Sequence, residues 1–244
     1  MIYTIATAKG GTAKTTTAAA IAQAAAYTGR RALAIDLDPQ GNLTFATAAD
    51  ARQPGSYELL HGTPARDLLQ HSPQGIDVIP ASRNLQTETS GKGTARRLQK
   101  ALAPIRDDYD VITIDTPATA GELQYNALQA ADRLIIVLEA DAYSAQALYQ
   151  IAEAAEQIKQ GNPHLQYAGV LIVNYYSNPA NIDKFWRQEI EQTGAALHIP
   201  YLGEIRHARK PIKEAVSFQQ SLFEYAPKSN PAADYLRVFE AITQ

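Results

Sequence analysis

The stretch TAKGGTAKTTT at residues 7–17 lies between a short apolar run at residues 2–7 and an alanine-rich segment at residues 14–28. Its small residues allow backbone N–H groups to surround a phosphate, while Lys14 supplies a positive charge and Thr15 a hydroxyl for Mg²⁺. A glycine-rich turn that binds nothing would not require two lysines and several threonines. The stretch therefore predicts a phosphate-binding loop between a first strand and a first helix.

Two alanines distinguish this loop from the usual phosphate-binding pattern, which has glycine immediately before the lysine and again five residues earlier. Ala13 and Ala8 occupy those two positions. If residue 13 must adopt a positive φ angle, alanine costs about 1 kcal/mol relative to glycine. Strain of this size is tolerable, so the departure does not exclude nucleotide binding.

Apolar runs alternate with longer helical segments along the rest of the chain, a pattern typical of a parallel sheet covered by helices. The predicted strands span residues 2–7, 32–37, 76–80, 111–115, 133–138, 168–174 and 202–206. The predicted helices span residues 14–28, 95–102, 122–131, 144–159, 182–192, 212–220 and 232–242. Residues 50–90 are the least periodic and predict loops and short helices at the rim. We therefore expect an α/β fold, a mostly parallel twisted sheet flanked by helices on both faces, in a single domain over residues 1–244.

The composition excludes several other classes of protein. Lysine and arginine number 22 against 25 aspartate and glutamate, a formal charge of -3, so any contact with a polyanion must be a local patch. The absence of cysteine excludes disulfides, thiol nucleophiles and cysteine-ligated clusters. No apolar stretch approaches the roughly 18 residues of a membrane span, and the first residues read as a strand instead of a signal peptide. A cytoplasmic protein is expected.

The run Lys9-Gly10-Gly11 is the hallmark through which the sequence resembles the ParA/Soj family of deviant Walker-A ATPases, relatives of MinD, over nearly the whole chain. The resemblance implies a P-loop NTPase fold and slow, Mg²⁺-dependent hydrolysis of ATP. It also implies that Lys9 reaches the nucleotide bound by the other subunit of a sandwich dimer, so that ATP binding produces a homodimer. A cation offered in trans makes this association depend on the γ-phosphate.

A second matching segment, IDLDPQGNLT at residues 35–44, ends the second predicted strand. Alternation along the strand points Asp36 and Asp38 to the same face, at the carboxyl edge where open α/β sheets bind their ligands. The resemblance implies that Asp38 orients the attacking water, and we assign Asp36 to support of the Mg²⁺ shell. A pair of solvated carboxylates at the end of a strand is the alternative.

The third match, DYDVITIDTPATAG at residues 108–121, is an apolar strand followed by a Pro/Gly turn and resembles the Walker B strand. Asp115 is then expected to hold Mg²⁺ through water, and the following turn to sense the γ-phosphate. Ala118 replaces a second proline that is common in the family, which leaves the geometry of this turn open. Asn126 also matches a family position, although a capped helix turn explains it equally well.

The C-terminal third resembles the family more weakly, and there we place Asn174 and Arg206 beside the adenine base. The expected nucleotide-binding residues are Lys9, Gly10, Gly11, Thr12, Ala13, Lys14, Thr15, Thr16, Asn174 and Arg206. Catalytic roles are expected for Lys9, Lys14 and Asp38, and Mg²⁺ contacts for Thr15, Asp36 and Asp115.

Two local charge imbalances are candidate DNA-binding faces. The first contains Arg206, Arg209, Lys210 and Lys213 without an acid, and the second, between residues 83 and 106, contains six basic residues against one acid. Solvated surfaces without a ligand are the alternative. The family resemblance implies that the ATP-bound dimer binds double-stranded DNA without sequence preference. No helix-turn-helix domain precedes residue 1, so sequence-specific operator binding is not expected.

The resemblance further implies a nucleoid-associated ATPase that positions a plasmid, a chromosome or a protein body with a ParB-like adaptor that stimulates hydrolysis. Two alternatives use the same fold. A metabolic ATPase or ligase would place an organic substrate in the cleft of one subunit. A MinD-like membrane ATPase is less favoured, because residues 234–244 hold two acids and one arginine instead of a basic amphipathic helix. No membrane partner is therefore expected.

Overall fold

The computed structural model describes residues 1–7, 9–87, 96–118 and 121–244, and within these ranges eight strands form one sheet. The strands are β1 (Ile2–Ala6), β2 (Ala32–Asp36), β3 (Gln70–His71), β4 (Asp77–Ile79), β5 (Val111–Asp115), β6 (Arg133–Leu138), β7 (Gln166–Tyr175) and β8 (Tyr201–Arg206). Their spatial order is β3-β4-β2-β5-β1-β6-β7-β8. Neighbouring strands run parallel, except that β3 pairs antiparallel with β4. The predicted mostly parallel sheet is confirmed.

Helices cover both faces of the sheet, as the sequence predicts. In the described part of the chain they are α1 (Lys14–Tyr27), α2 (Asn42–Ala46), α3 (Ser56–Leu60), α4 (Arg97–Leu102), α5 (Glu122–Ala130), α6 (Ser144–Lys159), α7 (Asn181–Ala196), α8 (Arg209–Ser217), α9 (Leu222–Tyr225) and α10 (Asn230–Thr243). One face packs against α1, α8, α9 and α10, and the other against α3 to α7. Short 3₁₀ segments span Ala65–Leu68, Arg83–Thr87 and Arg106–Asp108.

The central strands are buried on both faces, which explains why they read as continuous apolar runs. In β1, Tyr3 and Ile5 pack toward α1 and α10, while Ile2 packs into the core beneath α3, α4 and α5. This double burial fixes the register, because a slip of one residue would exchange the two faces.

Most predicted elements match the observed ones, and β5, β6 and α6 have the predicted bounds. The two-residue strand β3 was not predicted, and α8 begins at Arg209, one turn earlier than expected. The predicted helix start at residue 95 lies outside the described residues, as do Ala8, Glu88, Lys92 and the turn residues 119–120. Within the residues described, no helix is both long and apolar enough to cross a membrane. The assignment of the whole chain to one domain stays a prediction.

The order of the strands determines where a ligand can bind. β1 lies between β5 and β6, and the chain leaves its carboxyl end to enter α1. The carboxyl ends of β2 and β5 lie side by side, because Asp36 and Asp115 are paired in the register of these two strands. The three matching segments therefore converge at one edge of the sheet, which is the usual ligand site of open α/β folds.

Candidate functional site

The loop between β1 and α1 has the backbone conformation of a phosphate cradle. Ala13 adopts a left-handed conformation with φ 48° and ψ 25°, and Gly11 also has a positive φ of 81°. Thr12 Oγ1 donates to the carbonyl of Lys9 at 2.9 Å and closes the loop. The first turn of α1 contains no acidic residue, so its free N–H groups and the helix dipole favour an anion. The positive φ angle that the sequence left open for residue 13 is therefore observed.

Lys14 is buried beside the carboxylate that ends β5. Its Nζ donates to Asp115 Oδ1 at 2.9 Å and also to the carbonyl of Thr116, and the lysine is only 7% exposed. Thr15 Oγ1 donates to the other oxygen, Asp115 Oδ2, at 2.6 Å. Burial raises the pKa of Asp115, while the charge of Lys14 and the hydrogen bond from Thr15 oppose that rise. The lysine, the threonine hydroxyl and the Walker B carboxylate therefore form one cluster.

Asp36 is also buried, and protein groups surround its carboxylate. Oδ2 accepts hydrogen bonds from the Thr44 N–H at 2.8 Å and the Thr44 hydroxyl at 2.7 Å, and Oδ1 accepts from the Asp38 N–H at 3.1 Å. Burial and the nearby Asp115 carboxylate raise the pKa of Asp36 to about 7, against the hydrogen bonds from Thr44. Through these hydrogen bonds Asp36 holds the segment that follows β2 in place. Its contact with the Mg²⁺ shell stays a prediction.

Asp38 lies at the rim of the cleft and is half-buried. Its Oδ1 accepts from the Gln40 N–H at 3.0 Å, an Asx turn that orients the carboxylate. The cleft has a volume of about 400 Å³ and contains the whole of the expected phosphate-binding set. Its lining includes Lys9, Gly10, Gly11, Thr12, Ala13, Lys14, Thr15, Thr16 and Asp38. A phosphate in the loop would thus have the candidate water-positioning carboxylate in the same cleft.

The chemistry of this cleft fits Mg²⁺ brought in with a nucleotide. Mg²⁺ prefers oxygen ligands. The Thr15 hydroxyl and the Asp115 carboxylate present such oxygens 2.6 Å apart. Within the described ranges, no group of three or more His, Cys, Asp or Glu side chains could hold a metal by itself. One carboxylate with phosphate oxygens and water is the usual Mg²⁺ site of nucleotide-binding proteins.

Lys9 lies at the opposite side of the loop from Lys14 and is exposed. Its side chain is 65% exposed, and Nζ lies 3.5 Å from Oδ2 of Asp141, which precedes α6. An exposed pair of this kind is worth at most about 1 kcal/mol, so Lys9 is held weakly. The two lysines of the loop therefore have different surroundings, one inside the subunit and one at its surface.

A second cleft, of about 690 Å³, lies between the end of β7 and α8 and shares Gly11, Ala13 and Thr16 with the phosphate loop. Asn174 lines this cleft, and its contact with the adenine base stays a prediction. Its φ is 56°, and Nδ2 donates to Glu139 Oε1 at 2.6 Å.

Arg206 faces α10. Its Nε and Nη2 donate to both oxygens of Asp234, at 2.9 Å each for the closest pairs, and Asp234 is fully buried. This bidentate pair gives Arg206 a partner that the sequence did not indicate, whereas its neighbours His207 and Arg209 line the second cleft. The contact of Arg206 with the base stays a prediction that would require it to exchange or share this partner.

The candidate DNA-binding residues differ in whether another group of the protein holds them. Arg209, Lys210 and Lys213 are exposed on α8, but Arg206 is held by Asp234. On the second basic face Arg106 pairs with Asp132 at 2.7 Å, and Arg96 donates to the carbonyl of Gly161 at 2.6 Å. Three exposed cations therefore lie together on α8.

Thr44 lies within the second matching segment, and no role was predicted for it. Its N–H and hydroxyl hold Asp36, and the hydroxyl oxygen also accepts from the Ala81 N–H at 2.8 Å. Ser56 Oγ donates to the carbonyl of Asp36 at 2.7 Å and was likewise missed. A threonine in the first turn of a helix after two strand-end acids is a signal that could have indicated the first contact.

The comparison with known proteins agrees with this site. A family model described as an AAA domain matches residues 1–167. The chromosome-partitioning ATPase Soj of Thermus thermophilus is 32% identical over 98% of this chain and 93% of its own length. The chain belongs to the ParA/Soj family.

Solved structures place this ParA/Soj ATPase in a wider set with the same fold. Apo McdA of Cyanothece covers 98% of both chains with a TM-score of 0.87 at 22% identity, a likeness of fold alone. Cobyrinic acid a,c-diamide synthase of Mycobacterium smegmatis, with ADP and magnesium bound, is 29% identical over 89% of this chain and 91% of its own, with a TM-score of 0.76. The protein is accordingly a P-loop ATPase that uses ATP and Mg²⁺.

Proposed function

We propose that this ATPase forms a sandwich dimer on binding ATP, that the dimer binds double-stranded DNA without sequence preference, and that it positions a cargo with an adaptor protein. The observation that carries the proposal is the different placement of the two lysines of the phosphate loop. Lys14 is buried against Asp115 of its own subunit, whereas Lys9 is exposed at the mouth of the cleft. An exposed cation beside an open phosphate site is available to the nucleotide of a second subunit.

Hydrolysis of ATP needs positioning and charge compensation more than it needs a covalent nucleophile. In this proposal Lys14 and the first N–H groups of α1 bind the terminal phosphates, and Asp38 orients the attacking water from the rim. Thr15 and Asp115 hold Mg²⁺, which would neutralise phosphate charge when bound. Asp36 and Thr44 keep the Asp38 segment in place through their hydrogen bonds.

DNA binding is assigned to the exposed cations of α8, Arg209, Lys210 and Lys213. Because the formal charge of the whole chain is -3, one such patch is a modest site for a polyanion. Dimerisation doubles the number of phosphate contacts, and binding to DNA rises steeply with that number. The nucleotide would thus control DNA binding by controlling association.

The cargo is proposed to be DNA or a protein body, with a ParB-like adaptor that accelerates a slow intrinsic hydrolysis. Relatives named for chromosome partitioning support a chromosome as cargo. The similarity to McdA is one of fold only, so it does not favour one cargo over another. Association with the nucleoid would follow from binding DNA without sequence preference.

A ligase or metabolic ATPase is the second candidate, because cobyrinic acid a,c-diamide synthase is similar at 29% identity. Beyond the phosphate loop, the cleft also has apolar walls from Phe45, Ile212 and Leu222, against which an organic substrate could pack. This function predicts ATP turnover that depends on a small metabolite and is indifferent to DNA.

Light scattering with saturating ADP, ATP or a slowly hydrolysed ATP analogue, each with and without duplex DNA, tests the proposal. We expect the mass of one chain with ADP and of two chains with the analogue, and a complex with DNA only in the second case. The same mass with both nucleotides would contradict the dimer switch. Turnover stimulated by a metabolite in a monomer would favour the second candidate.

A further inference from the structure

Three glutamines connect the C-terminal ends of α2 and α8. Gln74 Nε2 donates to the carbonyl of Ala46 at 2.7 Å and to the carbonyl of Gln219 at 2.9 Å, and its Oε1 accepts from Gln23 Nε2 at 2.8 Å. Gln219 Nε2 donates to the carbonyl of Phe45 at 3.0 Å. We call Gln23, Gln74 and Gln219 the glutamine clamp.

Two members of the clamp are buried, and the third, Gln219, is half-buried. Gln23 and Gln74 are each 5% exposed. Gln23 Oε1 also accepts from the Leu222 N–H at 3.2 Å, so the clamp extends to the start of α9. A buried amide whose donors are all engaged holds one orientation, because leaving any of these groups unpaired costs roughly 1–3 kcal/mol. The clamp is therefore a stiff connection.

At the end of α2 opposite the clamp lies the candidate hydrolysis site. α2 has five residues, from Asn42 to Ala46, and spans about 7.5 Å at 1.5 Å per residue. Thr44 in its middle holds Asp36, and the chain before it carries Asp38. A helix this short moves as one body, so a shift of the Asp38 segment reaches the carbonyls of Phe45 and Ala46.

On the other side, the clamp holds the end of α8. The Gln219 N–H donates to the carbonyl of Val216 at 3.1 Å, and residue 219 has a positive φ of 53°, the usual conformation just after a helix. Arg209, Lys210 and Lys213 lie on this helix and are exposed. In helix α8 itself only Ala215 is buried, Ile212 packs partly buried against the core, and Glu214 Oε2 accepts a hydrogen bond from the Tyr225 hydroxyl at 2.9 Å.

We propose that Gln74 is a positioning residue that transmits the nucleotide state from the Asp38 segment, through α2, to the cationic helix α8. The inference rests on the proposed function for its DNA-binding output, but not for the coupling itself. Movement of α2 when the γ-phosphate binds would be carried to α8, because Gln74 binds the last carbonyl of α2 and the carbonyl of Gln219, two residues after the end of α8. Without Gln74, the partly exposed bond from Gln219 to the carbonyl of Phe45 would be the remaining hydrogen bond between α2 and the segment after α8, and the response of α8 to the nucleotide would weaken.

The test compares Gln74→Leu with Gln129→Leu as a matched control. Gln129 is also buried and donates to the carbonyl of Ile158 at 3.3 Å, but it lies on α5, away from α2 and α8. Hydrogen exchange of the α8 amides is measured with ADP and with the slowly hydrolysed ATP analogue. We expect the analogue to change exchange of α8 in the unmodified protein and in Gln129→Leu, and this change to fall at least fivefold in Gln74→Leu. ATP affinity should stay within about threefold in both variants, because neither residue touches the phosphate loop.

A second variant serves if Gln74→Leu does not fold. Gln219→Gly removes the hydrogen bond to Phe45 and keeps the positive φ without strain, so it should fold. It leaves the bond from Gln74 to the carbonyl of residue 219 in place, and we expect an intermediate loss of the response.

Fluorescence anisotropy of a labelled DNA duplex is the second measurement. The ratio of the Kd with ADP to the Kd with the analogue should fall at least fivefold in Gln74→Leu and remain unchanged in Gln129→Leu. If the unmodified protein binds no DNA while the α8 exchange still depends on nucleotide and on Gln74, the coupling holds and the proposed DNA binding is wrong. A nucleotide response of α8 that is absent in the unmodified protein, or equal in Gln74→Leu, would overturn the inference.

Discussion

Replacing Ala13 by glycine should stabilise the protein, although the same change destabilises most helices. Ala13 has φ 48°, a left-handed conformation that costs an L-residue roughly 1–2 kcal/mol. Glycine removes this cost. Loss of the half-buried methyl group lowers stability by about 0.4 kcal/mol, and the greater conformational freedom of glycine in the unfolded chain lowers it by roughly a further 0.4–1 kcal/mol. The midpoints leave a net gain of about 0.4 kcal/mol, which for a chain of 244 residues corresponds to roughly 1–2 °C in Tm.

Two further alanines calibrate the measurement by differential scanning calorimetry. Ala48 has φ 59° and is half-buried but lies outside the phosphate loop, so Ala48→Gly should give a similar gain. Ala195 is exposed in the last turn of α7 and has no left-handed strain, so Ala195→Gly should lower stability by less than about 1 kcal/mol. Opposite signs for Ala13→Gly and Ala195→Gly are the expected result.

The reasoning fails if Ala13→Gly lowers Tm as much as Ala195→Gly does. Residue 13 would then have an ordinary helical conformation, and the loop would differ from the cradle described above. A gain at Ala48 together with a loss at Ala13 would restrict the error to the phosphate loop. Ala13→Val adds a second check, because a β-branched residue at positive φ is strongly disfavoured and should melt lowest at this position.

Three other predictions concern the charged groups of the site. Lys9→Ala should retain ATP binding in the monomer but weaken dimerisation about 100-fold or more, through loss of two charge-assisted contacts per dimer; normal turnover and mass by light scattering would remove its role in trans. Asp38→Ala should trap ATP-bound dimers and slow phosphate release at least about 100-fold, and wild-type turnover would assign the water to another residue. The folded pKa of Asp36, about 7, lies above its unfolded value, so its contribution to stability is complete below about pH 4 and is lost as pH rises through 7. Urea unfolding at pH 5 to 8 should therefore show a smaller loss of stability in Asp36→Asn than in the unmodified protein, and parallel curves would contradict the raised pKa.

The fold was largely predictable because its strands are buried on both faces. Such strands appear in the sequence as short continuous apolar runs, and the runs at residues 111–115 and 133–138 predict the bounds of β5 and β6 correctly. Strand β3 could not be predicted, since two residues carry no periodicity and Gln70 and His71 are polar. Its position depends on the antiparallel pairing with β4, a contact that the sequence does not encode locally.

The phosphate loop was predictable for a different reason, since all of its chemistry lies within eleven consecutive residues. The surroundings of Arg206 were not, because Arg206 ends strand β8 and its partner Asp234 is 28 residues away on α10. A cluster of cations in the sequence predicts a local excess of charge, but long-range pairing decides which of them remain available. The same limit applies to the glutamine clamp, whose members lie 51 and 145 residues apart in sequence.

The pair formed by Lys14 and Asp115 shows why residue roles in such a site depend on the state of the molecule. Both side chains are buried, and removing one partner of a buried pair leaves an uncompensated charge. If the phosphates of a nucleotide engaged Lys14, Asp115 would need a new cation, and Mg²⁺ bound with the same nucleotide would supply that charge. Lys14 would then be compensated by the phosphates and Asp115 by the metal, so the charge balance would be kept only if both were bound together. ATP should consequently bind this protein more weakly in the absence of Mg²⁺ than in its presence.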